Sequence, residues 1–119
     1  MRGVEDANWY FDRYGGVDEI VRDANFDDHV QLGDHRVRFA EVLQCYQDPN
    51  GAEFAYNTGY SEGDRGAPLI MLGYTRKGRF LLTALVPSDH RGVWLAWTAY
   101  EPDSKYYEGM YWDFKRSLT

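Results

Sequence analysis

The sequence predicts an α+β domain: a small antiparallel sheet with helices packed on one side. Three observations predict it. Residues 68–86 read as two apolar strands joined by the tight basic turn Thr75-Arg76-Lys77-Gly78-Arg79. A third apolar strand, 93–100, follows after a short connection. Helical spacing brackets the strands. Phe39, Val42, Leu43 and Tyr46 fall at i, i+3, i+4 and i+7, and Tyr107, Met110, Tyr111, Phe114 and Leu118 mark one face of a last helix.

Residues 1–16 hold Asn8-Trp9-Tyr10-Phe11 and end in Tyr14-Gly15-Gly16, where the glycine pair marks a boundary. They read as an N-terminal extension, either a short helix laid on the body or a partly ordered arm, and 17–119 as a single domain. Residues 18–23 form a short strand centred on Ile20 and Val21. Asn25 then offers a cap to a brief helix over 26–32, stopped by Gly33. The helix containing Phe39 ends at Asp48-Pro49-Asn50-Gly51. Residues 52–57 fit an edge strand, and the charged, glycine-rich 58–67 a mobile loop. Gly78 takes the left-handed position of the hairpin turn. Pro102 suits the start of the last helix, Asp103 or Ser104 its cap, and Lys115 and Arg116 its negative C-terminal end. The order is β-α-α-β-β-β-β-α.

At 119 residues the chain supports one core and not two. A single cysteine, Cys45, excludes an internal disulfide and suits a reducing compartment. No apolar run approaches the length of a bilayer span, and the acidic beginning lacks a signal-peptide core, so a cytoplasmic location is expected. The net charge of −6 is uneven. Residues 1–34 carry nine acids against three bases, and the rest is neutral. That balance argues against broad nonspecific nucleic-acid binding. It leaves room for a local basic patch at Arg76, Lys77 and Arg79. Phosphate-loop, dinucleotide, nucleophile-elbow and Cys/His metal patterns are absent. His29 and His35 are six apart, which is not a standard metal-ligand spacing, so neither metal nor cofactor is expected.

Several of these residues carry a resemblance. The 18–23 strand, His29, His35-Arg36-Val37 and Phe39-Ala40-Glu41-Val42-Leu43 look like the start of the BrnT-like toxins. Leu69-Ile70-Met71-Leu72-Gly73-Tyr74-Thr75, Gly78-Arg79-Phe80-Leu81 and the strand ending in Thr98-Ala99 continue the match, which covers about 17–111. Family members usually follow that alanine with Arg; Tyr100 stands here. The resemblance implies a RelE-type fold and a metal-independent ribonuclease of a toxin–antitoxin pair, or a degraded relative of one. It also implies an antitoxin partner and an RNA substrate.

Metal-independent cleavage uses the RNA 2′-OH as nucleophile, so it needs proton-transfer groups and cations facing phosphate. Arg79, at the family's Gly-Arg position, is the first catalytic candidate. His29 and His35 follow, since the resemblance sets them on the active face, and Tyr100 is the fourth. Arg76 and Lys77 are candidates for holding substrate phosphates, and Glu41 for orienting Arg79 or a histidine. Together these readings predict that Arg79, His35 and Tyr100 converge on one open face.

The alternative is a noncatalytic acidic binding protein, an immunity-type or phage-encoded inhibitor of a basic host protein. Its hot spot would be Trp9, Tyr10 and Phe11. A third reading is a structural domain whose aromatics build a homodimer.

Overall fold

The structure, a computed structural model, describes residues 4–24, 26, 37–56 and 68–117. The predicted 26–32 helix, apart from Phe26, and the 58–67 loop lie outside the described residues, as do His29 and His35. Helix α1 (Val4–Tyr14) leads to strand β1 (Glu19–Arg22). Helix α2 (Phe39–Tyr46) precedes β2 (Glu53–Tyr56), β3 (Leu69–Tyr74), β4 (Phe80–Pro87) and β5 (Val93–Tyr100), and α3 (Tyr106–Ser117) closes the chain. Of the two readings of the first segment, the helix is the one observed.

The five strands form one sheet in the order β1-β5-β4-β3-β2. The β2–β3, β3–β4 and β4–β5 pairs are antiparallel, and β2 is an edge strand as expected. Strand β1 departs from expectation. It lies parallel to β5, Ile20 opposite Trp94, so the sheet is mixed rather than antiparallel throughout. A strand far upstream in sequence can join a free edge in either direction, and the route of the intervening chain chooses the direction.

Helices on one side is the second expectation to be corrected, because both faces are covered. Leu69, Met71, Leu81, Leu85, Trp94, Ala96 and Ala99 pack with Val42 and Cys45 of α2, and Tyr10, Phe11 and Tyr14 of α1 close over them. Ile70, Leu72, Phe80 and Leu82 turn the other way, onto Tyr111 of α3. Alternation along β3 and β4 therefore feeds two cores. A β-bulge keeps β5 in step. Ala84 pairs with Thr98 but Leu85 with Ala96, so Trp97 is an extra residue that lets Trp94, Ala96 and Ala99 share a face.

Polar contacts tie the layers together. Tyr46 donates from its hydroxyl to the Val17 carbonyl at 2.5 Å, and Trp94 Nε1 donates to the Gly15 carbonyl at 3.2 Å. The Arg91 guanidinium donates to the Arg13 and Asp12 carbonyls, satisfying the C-terminal end of α1. Lys115 bridges α3 to β2 through Glu53 at 2.7 Å.

Asp48, just past α2, is the buried hub. Its Oδ2 accepts the Tyr74 backbone N–H at 2.9 Å and the Tyr111 hydroxyl at 2.8 Å, while Oδ1 accepts the Asn50 N–H at 2.9 Å. One carboxylate thus joins α2, β3 and α3. Gly73 permits the approach beside it: a Cβ there would stand 2.8 Å from the Cys45 carbonyl oxygen, inside contact distance.

Asp48→Asn offers one acceptor oxygen in place of two and leaves a buried donor unpaired. We expect a loss of about 2 kcal/mol, read as a lower urea midpoint at unchanged m. Thr83 gives the opposite sign. Its hydroxyl is fully buried and has no partner among the described residues. Thr83→Val, of the same shape, is expected to raise stability by about 1 kcal/mol in the same titration.

Candidate functional site

The polar end of the molecule is built where α2 begins and the β3–β4 hairpin turns. Arg38 takes an extended backbone (φ −91°, ψ 149°) as the N-cap of α2. Three residues on, Glu41 Oε1 accepts the Arg38 backbone N–H at 3.0 Å, satisfying a donor that the first turn leaves open. Three further, Gln44 Oε1 accepts the Arg76 backbone N–H at 3.1 Å and docks the hairpin against the helix. Residues 38, 41 and 44 form a polar stripe beside the buried Val42 and Cys45.

The hairpin turn is held from within. The Thr75 N–H donates to the Arg79 carbonyl at 2.9 Å, Thr75 Oγ1 accepts the Arg79 N–H at 3.1 Å, and Gly78 has φ 83°. Only a residue without a Cβ adopts that left-handed backbone cheaply.

Arg79 is clamped between two acids. Its Nη1 stands 3.1 Å from Glu41 Oε2, and its Nε 2.6 Å from Glu101 Oε1. Hydrogen bonding to Glu101 pushes the guanidinium further up from its ordinary value; burial opposes it, and the hydrogen bond to Glu41 adds to the rise. The expected link between Glu41 and Arg79 is therefore present, whereas Arg79 does not stand open.

Between helix and hairpin lies a cleft of about 410 Å³ lined by Arg38, Glu41, Gln44, Thr75, Arg76 and Lys77. The three residues named as substrate-binding candidates, Arg76, Lys77 and Glu41, share this one wall-to-wall space. Among the described residues, Arg38, Arg76 and Lys77 form no ion pair, so three exposed cations face a single carboxylate already matched by Arg79. Among the described residues lining the cleft, cations outnumber acids three to one, in a chain whose net charge is −6. Arg38, Gln44 and Glu101 were not singled out from sequence. The three-residue spacing of 38, 41 and 44 was the signal for the first two; Glu101 carried none.

The remaining candidates are dispersed. Tyr100 packs in the cluster beneath α3, while Arg79 reaches to α2, so the two belong to opposite faces of the sheet. The expected convergence of Arg79 and Tyr100 is thereby corrected. Strand alternation separates them, since Glu101 and not Tyr100 projects to the α2 side. Burial raises the Tyr100 phenol above its ordinary value. His90 is exposed in the β4–β5 connection, at the other end of β4 from the hairpin. The aromatic trio also divides. Tyr10 packs on Tyr14 and Tyr56, and Phe11 on Phe54 and Trp94, both half-buried, whereas Trp9 is 54% exposed. Among the described residues, no group of three His, Cys, Asp or Glu side chains could hold a metal ion, and no helix is long and apolar enough to cross a membrane.

No protein-family model, curated protein or solved structure matches the chain.

Beneath the cleft, burial pushes the Cys45 thiol up to about 12, and Asp48 and Glu41 add to the shift. Burial likewise raises Tyr111, helped by its bond to Asp48, and Tyr74, helped by Glu108. All three groups are neutral when protonated, so the unfolded chain gives up their protons first. Stability is full below the ordinary Cys45 value of 9.0 and declines as pH rises from there toward about 12. Tyrosine ionisation adds above 10.0. Urea titrations across that range are expected to show the fall, and Cys45→Ala to reduce its onset.

Proposed function

We propose that this chain is the toxin of a toxin–antitoxin pair, a BrnT-like, metal-independent endoribonuclease of RelE-type fold. The RNA backbone sits in the cleft between α2 and the β3–β4 hairpin. One observation carries the reading: Arg38, Arg76 and Lys77 stand round a single concavity with a guanidinium–carboxylate pair in its wall. Phosphate recognition needs cations fixed on a rigid frame, and cleavage needs a proton acceptor beside them. The hairpin supplies Arg76 and Lys77, and its hydrogen bond to Gln44 sets their place opposite Arg38. The sequence resemblance supports the same assignment and names an antitoxin as the partner. Arg79 acts in this reading by orienting Glu41 rather than as an open phosphate fork.

Induction of the chain in a bacterium is expected to arrest growth, and Arg76→Ala/Lys77→Ala to relieve the arrest. The purified double variant should bind single-stranded RNA more weakly, with a salt slope shallower by about 1.4 for two lost phosphate contacts. Arrest and RNA affinity that both survive the double substitution would remove the cleft from the function. A chain that arrests nothing and instead captures a basic nuclease would replace the toxin with the acidic inhibitor.

A further inference from the structure

We propose that the outer face of α3 docks a second copy of this chain, antiparallel, with the two-fold axis passing at Gly109. This contact does not depend on the ribonuclease reading. The helix carries two patterns. Tyr107, Met110, Tyr111 and Phe114 pack toward the sheet. Lys105, Tyr106, Gly109, Trp112, Asp113 and Arg116 are all exposed, at the i, i+3, i+4 and i+7 spacing of a second stripe on the opposite side. Two large aromatics stand in that stripe: Tyr106 is 65% exposed and Trp112 39%.

Gly109 lies between the two rings. Glycine weakens a helix interior relative to alanine. The described residues give no reason for one here, since a Cβ on Gly109 would meet none of their atoms within 4 Å. Gly73 is the contrast, where a Cβ would strike the Cys45 carbonyl. On an exposed helix face, a missing Cβ lets a second backbone come close. Trp112 is held in place beside it. Its Nε1 donates to the Tyr74 hydroxyl at 3.0 Å, and its ring makes a T-shaped contact with Tyr111 at 5.0 Å. The indole N–H is thus satisfied within the chain, so a partner can bury the ring without stranding a donor. The Lys105 carbonyl accepts the Gly109 N–H at 2.9 Å, and Ser104 Oγ accepts the Tyr106 N–H at 3.4 Å, which ties down the first turn.

A second copy fits because the stripe complements itself. A two-fold axis makes every contact twice, residue i on j and j on i. Where antiparallel helices cross at Gly109, positions equal steps before and after it come level. Three steps away are Tyr106 and Trp112; four steps away are Lys105 and Asp113. Lys105 and Tyr106 of one copy therefore face Trp112 and Asp113 of the other. The ammonium meets an indole face and a carboxylate, and the phenol meets the same carboxylate. Asp113 already accepts Arg116 within its own helix, and a carboxylate keeps further acceptor directions. A parallel pairing would instead set Asp113 against Asp113 and Lys105 against Lys105. The face is small, at the low end of specific interfaces (under about 1,200 Å²), so the dimer forms and parts with concentration.

Sedimentation equilibrium of the full chain over about a hundredfold range of concentration tests the contact. The weight-average mass is expected to climb from one chain toward two. Gly109→Gln puts a bulky helix former at the crossing and should weaken association by about tenfold or more, while its urea midpoint stays at or above the parent's. Lys105→Glu and Asp113→Lys each set like charges face to face and should weaken association similarly. Combined in one chain they restore opposite charges across the axis, and association should return. That rescue separates an antiparallel two-fold contact from general stickiness of exposed rings. A parent that stays monomeric throughout the range overturns the proposal and leaves the face to a different partner. Association that Gly109→Gln leaves unchanged also overturns it, as do single charge reversals that have no effect or that the double variant fails to rescue.

Discussion

A buried carboxylate holds this molecule in register. Removing Asp48 from water costs several kcal/mol, and three hydrogen-bond donors, from a turn, a strand and the last helix, offset that cost. Because Tyr74 is the last residue of β3, its N–H bond to Asp48 sets where the hairpin leaves the sheet relative to α2. The Gly73–Cys45 approach sets how near it leaves. Gln44 then takes up Arg76 one turn before that anchor. The cleft is the gap left between helix and hairpin beside these anchors.

The same arrangement explains how an acidic chain gathers three cations round one cleft. Glu41 and Glu101 lie under the hairpin, where Arg79 matches them, and Arg38, Arg76 and Lys77 are left at the rim. Surface ion pairs of this kind add little stability. Their effect here is directional: they hold one carboxylate at a known place among cations. Concave, low-dielectric walls concentrate such a field.

Much of the fold was legible because local rules and tertiary packing agree. The spacing of Phe39, Val42 and Tyr46, the left-handed Gly78 and the apolar runs of β3 and β4 each have a single sensible reading. The runs carried more than was drawn from them. Leu69 to Leu72 and Leu81 to Val86 lack polar alternation, apart from the buried Thr83. That is the mark of strands covered on both faces. It signalled the second helical layer that a one-sided packing misses. The Trp97 bulge left no comparable trace, since Trp94, Ala96 and Ala99 share a face only once the extra residue is known.

The site divides along the same line. Residue types and their separations along the chain were enough to place Arg76, Lys77 and Arg79 on one turn and Glu41 on the neighbouring helix, because turns and helices are short-range structures. They were not enough to show which side of the sheet each group faces. Tyr100 and Glu101 are adjacent in sequence, yet Tyr100 packs in the cluster beneath α3 and Glu101 is exposed and pairs with Arg79. The parallel docking of β1 on β5, the burial of Asp48 and the pairing of Arg79 with Glu101 depend on contacts between distant segments. Such contacts are settled by how whole layers pack, and no local propensity encodes them.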